Sequence, residues 1–118
     1  MITKNSFHTT AIFDEGREYR PTHYFMYEGK YIGSFILFDE EDCFSIWSLS
    51  IKEEYRNQGF GQLMMLDIMM RFGHRPLELY VMDNNPVAKH LYESVGFRVC
   101  GRHWSGEADR MEWRREFV

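Results

Sequence analysis

Basic residues are in the minority in this chain: 14 Lys and Arg stand against 18 Asp and Glu, a formal net charge of −4. That balance excludes general nucleic-acid binding, which calls for clustered positive surface. The one Arg-rich stretch, Arg110, Arg114 and Arg115, is interleaved with Glu112 and Glu116 and reads as a solvated strand face. Cysteine is scarce too. Cys43 and Cys100 have neither ligand spacing nor suitable neighbours, so they read as reduced thiols of a cytoplasmic protein. The five histidines are scattered without an H-x-x-x-H pair, and no metal site is expected. No apolar run reaches the ~18 residues a membrane span needs, and Met1 to Thr10 lacks a signal peptide's apolar centre. Low complexity and internal repeats are absent as well. What is abundant is core material: 44% hydrophobic and 17% aromatic residues in 118, enough for one folded domain over residues 1–118.

The most informative stretch is Ile51 to Gly61, I-K-E-E-Y-R-N-Q-G-F-G. It follows a strand-like run, Cys43 to Ile51, and opens an apolar helix predicted from near Gln62 to Phe72. A glycine-bearing turn into a helix N-terminus gathers unsatisfied backbone N–H groups at the positive end of the helix dipole, which favours phosphate. Two familiar phosphate loops are excluded. The dinucleotide fingerprint needs a third glycine where Met64 stands, and a Walker A loop needs Lys-Ser/Thr where Gln62 and Leu63 stand. What remains is R-x-x-G-x-G, Arg56 to Gly61, which alone fits a simple turn into a core helix equally well.

A second constellation follows. Leu77 to Met82 alternates as a strand, and Asp83-Asn84-Asn85-Pro86 breaks it. Asn85 is suited to N-cap a helix and Pro86 to its first turn. Val87, Ala88, Leu91, Tyr92 and Val95 recur at helical spacing, and Gly96 is predicted as a left-handed C-cap with Phe97 packing back. Taken alone, Tyr92 on this apolar face is accounted for by plain packing more readily than by a functional role.

Together, the two constellations resemble the GNAT superfamily of N-acetyltransferases over about residues 22 to 115. The resemblance implies an α/β (α+β) fold with a mixed, mostly antiparallel sheet, whose splayed parallel strand pair forms a CoA cleft. It implies acetyl transfer from acetyl-CoA to an amine of a small molecule or protein, by direct attack through a ternary complex. By the same resemblance, backbone groups of Leu49, Ser50 and Ile51 would pair with the pantetheine arm. Arg56, Asn57, Gln58, Gly59, Phe60, Gly61 and Gln62 would hold the pyrophosphate, Asn85 would contact the cofactor arm, and Tyr92 would protonate the leaving sulfur. The acidic net charge suits a cationic acceptor.

Two departures from the family pattern stand out. Many members carry a carboxylate about eleven residues before the position of Arg56, where this chain has Ser45. Asp42, Glu78, Asp83 and His103 are the alternative bases. In addition, about twenty residues precede the first predicted hairpin (His23 to Glu28 and Tyr31 to Asp39), too few for the family's two helices. The N-terminal helical region is thus shortened, and the acceptor side is open or completed by a homodimer through Tyr24, Phe25, Tyr27, Tyr31, Phe35 and Phe38. These departures keep a second reading in view, a non-catalytic GNAT-fold module that binds CoA or a protein partner. Elsewhere, Met1 to Pro21 reads as irregular or as a short strand or helix, the Gln62 to Phe72 helix as buried on nearly every side, and Arg98 to Trp104 and Asp109 to Phe117 as closing strands.

Overall fold

A computed structural model describes residues 5–12 and 20–117. Seven strands form one sheet, in the order β1-β2-β3-β4-β5-β7-β6. The first is β1 (Asn5–Ile12), antiparallel to β2 (Arg20–Tyr27). The predicted hairpin is present: β2 turns into β3 (Lys30–Asp39) through Glu28 and Gly29, both at positive φ (51° and 76°). That pairing of two left-handed residues is the two-residue turn whose twist matches the strands it joins.

The central strand β4 (Phe44–Ile51) runs antiparallel to β3 and parallel to β5 (Leu77–Met82). A parallel pair needs a crossover, supplied here by helix α1 (Phe60–Phe72). Helix α2 (Pro86–Ser94) follows β5, and β6 (Arg98–Arg102) and β7 (Ala108–Trp113) close the sheet. Both closing strands are shorter than their sequence suggests. Pairing of β7 stops at Trp113 opposite Leu77, the first residue of β5, and Arg115–Phe117 coils into a 3₁₀ turn instead. β6 ends at Arg102, before the turn through Ser105 and Gly106.

Both helices pack on one face of the sheet. Met64, Met65 and Ile68 of α1 meet Phe25, Ile32, Phe35, Ile46, Leu77, Leu79 and Met111 in one continuous core, which Tyr92 and Phe97 extend. The methionines fill this core as flexible side chains do. Helix α1 is not buried all round, however: Met70 is 76% exposed and Leu66 46%. Having a sheet on one side only, it turns its remaining apolar stripe outward. Of the hairpin aromatics, Phe25 and Phe35 are fully buried, while Tyr31 is 38% exposed.

Candidate active site

Parallel pairing of β4 and β5 covers just two positions, Phe44↔Leu77 and Ser45↔Glu78, and the strands then separate. The cause lies in β4. Between the pairs Ser34↔Ser50 and Ile36↔Trp47, β3 advances two residues and β4 advances three. The extra residue is a bulge, with Ser48 at φ 53°, and it bends the strand out of register with its neighbour. Beyond Ser45 the β4 edge facing β5 is therefore released from the ladder, leaving backbone groups that need other partners. Gly33 sits against this bend: a Cβ there would fall on the Ser50 carbonyl oxygen.

A cleft of about 440 Å³ opens where the strands part. Its walls include Leu49, Ser50 and Ile51 of β4, Arg56, Asn57 and Gly61 of the following turn, and Asn85, Ala88, Leu91 and Tyr92 of α2. A second cavity of about 310 Å³ continues it between the strands, sharing Leu49, Asn85, Ala88 and Tyr92 and adding Trp47, Ser48, Tyr80 and Met82.

The turn from β4 to α1 is held at both ends. Lys52 N–H donates to the Ile32 carbonyl (2.8 Å), and Arg56 Nε reaches back to the Ile51 carbonyl (2.9 Å). Asn57 (φ 62°) and Gly59 (φ 84°) are left-handed, which curls the backbone into the helix start. The amides of Phe60, Gly61 and Gln62 precede the first intrahelical bond, Leu63 N–H to the Gly59 carbonyl (3.2 Å), and so converge without helical partners. Four residues predicted for this turn are not among the cleft walls. The Gln58 amide donates to the Glu54 carbonyl (3.0 Å), Phe60 packs edge-on against Tyr27 and Tyr55, Gly59 is the helix cap, and Gln62 is exposed. Gly61's missing Cβ makes room for Leu91, whose Cδ2 would lie 3.0 Å from it.

Asn85 and Tyr92 stand at the two ends of α2. Asn85 Oδ1 accepts from the Ala88 amide (3.1 Å), the predicted N-cap. At the other end, Phe97 N–H donates to the Tyr92 carbonyl (3.0 Å) and Gly96 N–H to that of Glu93 (3.1 Å), with Gly96 at φ 109°. This is a Schellman motif, closed by the Tyr92–Phe97 ring contact at 6.2 Å. Tyr92 is 8% exposed, and burial raises its phenol pKa.

None of the alternative bases is a free carboxylate at the cleft. Glu78 accepts from Arg110 Nη2 (2.6 Å) and Nε (2.9 Å), and from Ser45 Oγ (3.3 Å), which in turn accepts from Trp47 Nε1 (2.7 Å). Asp83 bonds Arg102, which holds its carboxyl below the usual range. His103 Nδ1 lies 2.8 Å from Ser105 Oγ, and Asp42 is exposed in the turn before β4. Several walls escaped the sequence reading, namely Tyr55, Val87, Ala88 and Leu91 in the cleft and Trp47, Ser48, Tyr80 and Met82 beyond it. The helical spacing of Val87, Ala88 and Leu91 was a signal for those three; Trp47, Ser48, Tyr80 and Met82 line the second cavity because the bulge parts β4 from β5.

The profile of the acetyltransferase (GNAT) family matches residues 3–97. The chain belongs to the GNAT acetyltransferase family. Solved structures agree on the GNAT fold. A Bacillus subtilis acetyltransferase in complex with CoA is 16% identical, with TM-score 0.70 over 80% of this chain and 76% of that one. A GNAT family acetyltransferase of Elizabethkingia anophelis with acetyl-CoA bound is 13% identical, with TM-score 0.72 over 93% of this chain and 97% of that one. Mutant forms of the spermidine/spermine N-acetyltransferase of Vibrio cholerae are 21% identical, with TM-score 0.67 over 82% and 68%. The sequence matches no curated protein at a significant level. In this GNAT chain the residues fit CoA: converging amides and Arg56 suit a pyrophosphate, and Leu49, Ile51, Ala88 and Leu91 suit an apolar arm. Among the described residues no group of three His, Cys, Asp or Glu could hold a metal, and no helix is long and apolar enough to cross a membrane.

Proposed function

We propose that this GNAT protein is a cytoplasmic N-acetyltransferase that passes acetyl from acetyl-CoA to an amine by direct attack within a ternary complex. The observation that carries this reading is the position of Tyr92. Its buried side chain forms part of the wall common to both cavities, so it borders the cofactor cleft and the space an acceptor would enter. Bound acetyl-CoA supplies an activated thioester. The Phe60–Gln62 amides and Arg56 hold its pyrophosphate, and the released edge of β4 from Leu49 to Ile51 pairs with its arm. A β4 amide there polarises the thioester carbonyl as an oxyanion donor. Asn85 steadies the arm from the start of α2, and Tyr92 gives its proton to the departing sulfur as the amine nitrogen bonds to the acetyl carbon; the protons the nitrogen sheds pass to solvent water, which restores the phenol. Among the described residues the cysteines' partners are Glu78 and Arg110 rather than a histidine that would activate them, and direct attack needs no such nucleophile. The solved relatives named as spermidine N-acetyltransferases support an amine as acceptor.

Calorimetric titration with acetyl-CoA, run beside thiol release against a panel of amines, tests this. Binding with amine-dependent thiol release supports the transferase. Binding without release across the panel points instead to a CoA-binding module, a reading favoured by one observation: Ser45 replaces the strand carboxylate, and the nearby Glu78 is neutralised by Arg110. No binding overturns both.

A further inference from the structure

A row of five rings crosses the sheet face opposite the helices: Phe38, Trp47, Tyr80, His103 and Trp104. Successive centroids lie 6.0, 5.7, 5.1 and 5.0 Å apart. Trp47 and Tyr80 line the second cavity, tilted 46° to each other, so that they form an open corner at its mouth. Trp47 is 41% exposed and Trp104 92%. Single exposed apolar residues are ordinary on any protein surface, but a connected row at the mouth of a cavity marks a place for a ligand.

The chain's own cations cap rings elsewhere. Lys52 sits over Tyr31 at 5.0 Å, Arg75 over Phe44 at 3.7 Å and Arg98 over Phe117 at 4.0 Å. Among the described residues, no Lys or Arg does so over Trp47, Tyr80 or Trp104. The three carboxylates on the strands and turns flanking Trp47 and Tyr80 are engaged, Glu78 by Arg110, Asp83 by Arg102, and Asp109 by both Arg102 and Lys89, while Glu107 lies exposed in the turn beyond Trp104. Charge at this mouth therefore nearly cancels, and what is left to attract a cation is the negative face of the rings.

We infer that Trp47 and Tyr80, extended by His103 and Trp104, form a subsite for an alkylammonium acceptor carrying a single positive charge, held by its contact with the ring faces. The inference rests on the acetyltransferase reading above, because it takes the second cavity as the route to Tyr92. An alkyl amine of pKa ~10 arrives protonated, so a cation is what the mouth first meets. The extra charges of a polyamine would meet Glu78, Asp83 and Asp109 already paired, and would lie near the guanidiniums of Arg102 and Arg110. A monoamine suits the site better. A cavity of about 310 Å³ also favours a short chain.

The test separates binding from turnover. Tetramethylammonium chloride, which cannot be acetylated, is titrated while its methyl proton resonance is followed by NMR. Saturable binding with an upfield ring-current shift is expected, about tenfold weaker in Trp47→Leu and within threefold of the original in Trp47→Tyr. Both variants lose the indole's bond to Ser45, so equal losses in the two would assign the effect to that bond and overturn the inference. Affinity should also hold between low and high salt; a steep fall would indicate a carboxylate site and overturn it. In turnover, butylamine should exceed spermidine in kcat/KM, and Trp47→Leu should raise the amine KM about tenfold while leaving kcat within twofold. A tenfold preference for spermidine overturns the single-charge assignment. Acetyl-CoA affinity is measured on the same samples. If an amine is acetylated and ammonium does not bind, the subsite falls while the transferase reading stands; if ammonium binds but no amine is acetylated, the transferase reading falls and the assignment of the ring site to an acceptor falls with it.

Discussion

Tyr92 is fixed by its own helix end before any tertiary contact is counted. Its carbonyl accepts the closing bond of the Schellman motif, and its ring packs on Phe97. Replacing it with Phe keeps that packing and removes only the proton donor. Because a thiol of pKa ~8.5 leaves without much help, turnover should fall roughly 10–100-fold with acetyl-CoA affinity unchanged, as steady-state rates and calorimetry would show. The direction of its pKa gives a second check. Burial keeps the phenol protonated beyond its ordinary value of 10.0. A neutral donor of this kind contributes stability that is intact below that value and is lost as pH rises through the folded pKa. Unfolding midpoints above pH 10 should therefore drop faster in the natural protein than in Tyr92→Phe. The half-buried Glu78–Arg110 pair supplies another test: Glu78→Gln leaves the guanidinium poorly matched and should cost about 2 kcal/mol in urea unfolding. Tyr92 and Asn85 were legible in the sequence because cap, helix and C-terminal turn lie within thirteen consecutive residues. Glu78 and Arg110 were not legible as partners, since they meet only when β5 and β7 take their final register.

The bulge in β4 carries much of the site's geometry, and nothing local announces it. Ser48 is an ordinary residue in an alternating run, and its positive φ is imposed by how β3 and β4 pair. Gly33 is the matching element on β3. Gly33→Ala would push on the Ser50 backbone and should destabilise the fold by roughly 2–3 kcal/mol, read as a lower denaturant midpoint at unchanged slope, with weaker acetyl-CoA binding. The turn into α1 was clearer, because two glycines just ahead of an apolar run mark where the chain bends into its helix. There the open space around Gly59 separates conformation from charge. Gly59→Asn can adopt the left-handed cap and should bind acetyl-CoA within a few-fold of the natural protein. Gly59→Glu should bind at least tenfold more weakly by calorimetry, because its carboxylate repels the pyrophosphate. The outward stripe of Leu66 and Met70 was misjudged from composition because an apolar helix sequence does not say how many of its sides are covered.

The sheet as a whole consists of two blocks, β1-β2-β3-β4 and β5-β7-β6, joined through two residue pairs and the core under α1 and α2. Acetyl-CoA bound in the cleft would touch both blocks, so it should stabilise the protein more visibly than a ligand confined to one. At a concentration 100 times its Kd, linkage contributes about 2.7 kcal/mol, and Tm should rise by roughly 8–15 °C in differential scanning calorimetry. The GNAT architecture could be read from the order of the two motifs. The width of the opening between the blocks could not, because it depends on where the ladder stops. That narrow seam also makes the chain divisible. Each block is a contiguous length of sequence, and the connection between them passes through the exposed turn at Asn57 to Gly59, where a nick or an inserted tag would interrupt no strand. Two fragments cut there would each retain the strands of their own block, and a CoA thioester bridging the seam would favour their reassembly.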